Sequence, residues 1–208
     1  MQLQEIVAII DRSCSMNGKE EDTINGINTT IKELKSSENA DKINFSLKFF
    51  NHSEYLKIRS INIKKVNPLI VSDLSPSGST ALFDALGYTI NYFIEKKIEN
   101  KDSFEQCLIY IATDGFENSS KYYNKNSLKD IINIAEERYN IKVMYLGANQ
   151  DAIFEASKIG ISLDRVINYN ENTEASQNAY RAIASSAQRS ISGSSTGFSK
   201  IERTESAM

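Results

Sequence analysis

A long apolar run is what this 208-residue chain most plainly lacks. No stretch approaches the roughly 20 residues that a membrane-crossing helix requires. The N-terminus carries no basic lead, and the apolar run at 6–10 is too short for a signal-peptide core. These absences predict a cytoplasmic protein with no membrane partner.

Cysteine and histidine are scarce. Cys14 and Cys107 cannot build a disulfide framework and match no zinc spacing. Cys107 opens an apolar stretch and reads as a small core residue, whereas Cys14 sits in a polar turn where a redox role stays open. His52 has no second histidine for a metal set or a hydrolase triad and is expected on a surface loop. An excess of positive charge is missing too. With 24 Lys+Arg against 27 Asp+Glu, the net charge of −3 gives no electrostatic footing on nucleic acid. Basic pairs such as Lys64-Lys65 and Lys96-Lys97 read as solvated faces. Internal repeats are absent. The 40% hydrophobic and 25% charged composition suits one α/β domain with a full core, with room for a tail.

What is present is concentrated in Ile6-Val7-Ala8-Ile9-Ile10-Asp11-Arg12-Ser13-Cys14-Ser15-Met16. Five apolar residues, mostly β-branched, predict a strand buried on both faces. The strand runs directly into Asp11-x-Ser13-x-Ser15, whose oxygens a tight turn can aim at one point. Carboxylate and hydroxyl oxygens suit a hard cation such as Mg²⁺, and ligands of open α/β sheets sit at the carboxyl ends of strands.

Further along, Ile24, Ile27, Ile31 and Leu34 mark one face of a helix over 18–37, with Glu20, Glu21 and Asp22 in its first turn. Strands are expected at 44–50, 55–66, 108–112, 141–146 and 165–169. Pro68 and Pro76, the only prolines, bracket the approach to the turn cluster Ser75-Pro76-Ser77-Gly78-Ser79. The helix after that cluster carries Leu82, Leu86, Ile90 and Phe93. Ser127 to Asp130 resembles a capping box opening another helix. A short helix over 151–158 closes at Gly160, and an alanine-rich helix covers 173–189. Strands alternating with helices predict a doubly wound, Rossmann-like α/β sheet with helices on both faces. From Ser190 onward, serine and glycine predict a flexible tail with little to bury.

Asp11-x-Ser13-x-Ser15 at a strand end resembles the metal-ion-dependent adhesion site (MIDAS) of von Willebrand factor A (vWA) domains. That pattern also takes a threonine from a later loop and an aspartate after a further strand. Here Ser77-Gly78-Ser79-Thr80-Ala81-Leu82 and Ile109-Tyr110-Ile111-Ala112-Thr113-Asp114-Gly115 follow in that order. The resemblance implies a vWA-like domain over 1–190, a mostly parallel sheet with one antiparallel edge strand at 55–66, and a tail at 191–208. It implies the metal set Asp11, Ser13, Ser15, Thr80 and Asp114, holding Mg²⁺ with Mn²⁺ or Ca²⁺ as substitutes. It further implies an unknown protein partner whose Asp or Glu completes the metal shell.

Around that set, Asp84 either supports the site by hydrogen bonding or complements its helix dipole. Ser77, Gly78 and Ser79 shape the threonine loop, Gly78 through backbone freedom. Arg12, Met16, Phe116, Glu117 and Asn118 are expected to face the partner. The phrase Tyr145-Leu146-Gly147-Ala148-Asn149-Gln150-Asp151-Ala152 resembles a stretch of stand-alone bacterial and phage members, and lies near enough to the metal face to belong to its rim.

The leading function is therefore a non-enzymatic, metal-dependent protein–protein interaction module. The alternative is a Mg²⁺-dependent phosphatase-like hydrolase on a Rossmann-like sheet. That chemistry needs Asp-x-Asp, so that the second carboxylate serves as acid and base; position 13 is serine. Dinucleotide or P-loop binding needs a glycine-rich first turn, which Asp-Arg-Ser-Cys-Ser-Met does not provide.

Overall fold

All eight residues of β1 (Gln4–Asp11) are buried, as are all eight of β4 (Gln106–Thr113). In the computed structural model, which describes residues 3–148, 152–194 and 196–208, these two strands lie parallel at the centre of one sheet. β2 (Ile43–Phe50) and β3 (Glu54–Asn62) extend it on one side, β5 (Ile141–Ala148) and β6 (Val166–Tyr169) on the other. The order is β3-β2-β1-β4-β5-β6, and only the β2–β3 pair is antiparallel. A central strand covered on both faces has no solvent side, which is why β1 is apolar at successive positions rather than alternating.

From β1 the chain steps one way through α1 (Glu20–Lys35) to β2. After β3 and α2 (Leu82–Glu99) it crosses to the other side of β1, then steps the opposite way through α3 (Lys125–Tyr139) to β5 and α4 (Ala152–Lys158) to β6. Right-handed crossovers put helices on opposite faces when the direction reverses. Accordingly Ile6, Ala8 and Ile10 share a core with Ile24, Ile27 and Ile31 of α1 and with Tyr180 and Ile183 of α5 (Thr173–Ile191). Val7 and Ile9 share the other core with Leu86 and Ile90 of α2 and with Leu128 and Ile132 of α3. The reversal opens a crevice beyond the carboxyl ends of β1 and β4.

Three expectations are corrected. α3 starts three residues before the predicted box: the Asn124 side chain accepts from the backbone N–H groups of Asn126 and Ser127 at 3.0 Å, and the Ser127 hydroxyl accepts from Asn124 N–H. Asparagine is among the best N-caps, and Ser127 is the third residue inside the helix. The third strand stops at Asn62 because that side chain accepts from Lys64 N–H and opens a tight turn that buries Ile63. Lys96 is not simply solvated: its ammonium pairs at 2.6 Å with Glu5, a fully buried carboxylate.

The segment expected to have little to bury forms a short helical anchor of its own. Helix α6 (Lys200–Ser206) docks beside β6 and α5, with Phe198 and Ser206 buried. Its start is a capping box between Ser199 and Glu202, and Arg189 of α5 donates to both oxygens of Glu202, at 2.8 and 3.0 Å. Composition hid this, because serine and glycine surround one short, capped segment.

Burial opposes ionisation of Glu202, but Arg189 and Ser199 outweigh it and hold the carboxyl below the usual range. An acid whose pKa is depressed on folding contributes stability above its unfolded value and loses it as pH falls through the folded one. Hydrogen exchange over 196–208 is therefore expected to quicken as pH drops below the ordinary glutamate range. Glu202→Gln should do the same at neutral pH, weakening the docking by about 1–2 kcal/mol. Equal exchange in both proteins would remove Glu202 as the anchor.

Candidate functional site

Asp11, the last residue of β1, is fully buried, at the switch point of the sheet. Its two oxygens are held separately: Ser13 N–H donates to Oδ1 at 2.7 Å, and Thr113 Oγ1 donates to Oδ2 at 2.6 Å. The first contact is an Asx turn, which is why Asp precedes a tight bend here. Burial pushes the Asp11 pKa up; the Thr113 and Ser13 hydrogen bonds pull it down, and the Asp114 charge adds to the rise.

From Asp11 the polar chain continues. The hydroxyls of Ser13 and Ser15 lie 2.9 Å apart, and Ser15 Oγ donates to Asp114 Oδ1 at 2.6 Å. Thr80 arrives from the loop before α2. Arg12 and Cys14 grip that loop through Ser77 N–H to Arg12 C=O (2.8 Å) and Cys14 N–H to Gly78 C=O (3.0 Å). Gly78 adopts φ +74°, so the expected backbone freedom is used.

Gly115 reveals how closely the set converges. A methyl group added to its Cα would lie 3.2 Å from Ser15 Oγ, 3.3 Å from Thr80 Oγ1 and 3.7 Å from Asp11 Oδ2. One small volume is thus ringed by oxygens from two chain segments, the turn after β1 and the loop before α2, with Asp114 and Ser13 bonded to the ring. The donors are all hard oxygens, two of them carboxylates, which fits Mg²⁺ or a similar divalent cation. Among the described residues no three His, Cys, Asp or Glu side chains gather around a metal-sized space, so a cation here would depend on the hydroxyls.

The neighbours differ from expectation in instructive ways. Met16 is buried at 3% exposure and faces the core. Arg12 is half-buried with its guanidinium 5.9 Å from the Tyr55 ring. Glu117 turns inward to accept from the N–H groups of Phe83, Ser119 and Ser120, and Asn118 accepts from Thr80 N–H. Asp84 accepts from the N–H groups of Lys121, Tyr122 and Tyr123 at 2.8–3.0 Å. It therefore pins the loop that follows Asp114. Phe116 is exposed, and so is Cys14. Of the phrase from Tyr145 to Ala152, residues 149–151 lie outside the described residues; Tyr145 to Ala148 end β5 and Ala152 is buried.

Thr113, Asn51 and Lys19 were not singled out in the sequence. Thr113 orients Asp11, and its place beside Asp114 at a strand end was the available signal. Asn51 donates to Ser77 C=O at 2.7 Å and so braces the threonine loop. Lys19 pairs with both Asp114 and Glu171; three separate segments meet there, and no local pattern announces it. The Asp114 and Glu171 carboxylates outweigh burial, and the Lys19 pKa is raised.

A reversing parallel sheet with a hydroxyl–carboxylate crevice at its switch point defines the class of protein. The von Willebrand factor type A domain model matches residues 5–190, and the chain belongs to that family. No curated protein sequence matches the chain. Among solved structures, the SpaC pilus adhesin of Lactobacillus rhamnosus GG in its open conformation superposes with a TM-score of 0.69 at 11% identity, over 91% of this chain and 30% of that one. The chain thus spans less than a third of the adhesin. The vWF domain of the type V pilus tip protein Mfa5 from Porphyromonas gingivalis gives 0.66 at 11% identity, over 96% and 99%. Manganese-loaded TRAP protein of Plasmodium vivax gives 0.60 at 21% identity, over 81% and 68%. At such identities the likeness is one of fold. Among the described residues no helix is long and apolar enough to cross a membrane.

Proposed function

We propose that the chain is a protein–protein interaction module whose contact is completed by a divalent cation. Asp11, Ser13, Ser15, Thr80 and Asp114 hold Mg²⁺, and an Asp or Glu of the partner supplies a further oxygen. The observation that carries this reading is the ring of Ser15, Thr80 and Asp11 oxygens around Gly115. Two carboxylates leave a bound Mg²⁺ near neutrality, and Mg²⁺ retains waters that a partner carboxylate can replace. The module binds rather than catalyses, since Ser13 stands where the hydrolase chemistry would need a second acid. The exposed thiol of Cys14 beside the centre suits a reducing compartment, and we place the module in the cytoplasm.

Gly115→Ala tests the centre directly. The added methyl occupies the ringed volume, and glycine's left-handed freedom is not in use there. Calorimetric titration of Mg²⁺ or Mn²⁺ into metal-stripped protein is expected to give about one equivalent for the wild type. It should give at least a tenfold weaker site in Gly115→Ala, with circular dichroism unchanged. Equal metal affinity in the two proteins would sink the assignment.

A further inference from the structure

The ammonium group of Lys19 sits on Asp114 Oδ2 and on Glu171 Oε1. Lys19 directly precedes α1, Asp114 follows β4, and Glu171 lies between β6 and α5, so the three come from separate loops at one end of the sheet. The Asp114 side chain is only 2% exposed, and its other oxygen is taken by Ser15. Both faces of that carboxylate are therefore occupied, one by a hydroxyl of the proposed metal set and one by a fixed cation.

We propose that Lys19 is a built-in competitor and charge regulator of the metal centre: it holds Asp114 in the metal-free protein and is displaced toward Glu171 when a divalent cation enters. This rests on the metal reading above. The Lys19 ammonium offsets part of the negative charge that Asp11, Asp114 and Glu171 bring to this end of the sheet. With Lys19 present the metal-free centre is spared much of the repulsion among these acids. The entering metal must then share or replace the ammonium on Asp114, which lowers affinity. Glu171, one-third exposed, gives the released ammonium a partner without a rearrangement of α1. The weak intrinsic affinity that follows would make occupancy depend on the partner's own carboxylate, tying metal uptake to partner binding.

Lys19→Met keeps the aliphatic stem and removes the charge. Metal-stripped protein is titrated with Mn²⁺ by calorimetry, and thermal melting is recorded with and without the ion. Wild type, Lys19→Met, Lys19→Arg, Asp11→Ala and the distant Lys64→Met are compared. Lys19→Met should bind at least tenfold tighter than wild type, and its metal-free form should melt lower, so that the gain in melting temperature on adding Mn²⁺ is larger. Lys19→Arg and Lys64→Met should stay near wild type. Affinity in Lys19→Met equal to or below wild type, while Asp11→Ala abolishes binding, overturns the role of Lys19 and leaves the metal centre standing. Absence of binding in both wild type and Lys19→Met, at millimolar Mn²⁺, overturns the metal centre and this proposal with it.

Discussion

Replacing Asp11 by asparagine is expected to weaken Mg²⁺ binding by more than about 100-fold while leaving the fold intact. Groups that merely orient ligands already cost about 10- to 100-fold when mutated, and Asp11 supplies one of the two charges of the proposed set. The fold should survive because the hydrogen bonds can be kept. Asparagine Oδ1 still accepts from Ser13 N–H, and its amide can donate to Thr113 Oγ1, whose own proton turns to the Gly115 carbonyl 3.2 Å away. Burial raises the Asp11 pKa, so the ionised carboxylate works against the folded state at neutral pH. The metal-free variant is accordingly expected to melt no lower than the metal-free wild type, yet to lose the rise in melting temperature that Mg²⁺ produces. A variant that keeps that rise would show that Asp11 is not a ligand.

Gly26→Ala is expected to destabilise the protein by about 2–4 kcal/mol, against the usual benefit of alanine in a helix. Helix propensity alone would add up to about 1 kcal/mol of stability. The new methyl carbon, however, would fall 2.2 Å from Tyr180 Cδ2 and 2.5 Å from its Cε2. Tyr180 cannot swing aside: it is 1% exposed, stands edge-on to Tyr110, and its carbonyl accepts from Thr30 Oγ1 of the same helix as Gly26. Overpacking therefore decides the sign, α1 and α5 must part, and the melting temperature should fall by about 5–15 °C. Gly87 offers the control. An added methyl there meets Tyr123 at 2.5 Å, but that ring is only partly buried, so it can yield toward solvent at the expense of its edge-on contact with Tyr88 and its hydrogen bond from Asn91, and Gly87→Ala should cost clearly less than Gly26→Ala. Equal losses in the two variants would refute this explanation of the closely approached helix pair.

Local pattern carried a large part of the architecture. The unbroken apolar run at 6–10 announced a central parallel strand, and the spacing of Ile24, Ile27, Ile31 and Leu34 announced the buried stripe of α1. Gly160 ends α4 in the left-handed region, as expected. These succeed because burial period and backbone freedom are properties of neighbouring residues. Met16 was misplaced because a residue beside a polar turn can point either way until the turn's direction is known. The tail was misjudged because one aromatic residue and one capping box within a serine-rich stretch are enough, once a surface exists to receive them.

By itself, then, the order of residues determined the layered α/β sheet and its helices, and it named Asp11, Ser13, Ser15, Thr80 and Asp114 as the set proposed to hold a cation. Only the tertiary structure decided that oxygens of Asp11, Ser15 and Thr80 surround a space next to Gly115, that Thr113 and Asn51 brace this end of the sheet, and that Lys19 reaches across to Asp114 and Glu171. The reason is physical. Strand and helix periods repeat within a few residues, whereas a charge pair between residues 95 and 152 positions apart exists only once three loops have been folded onto one end of the sheet.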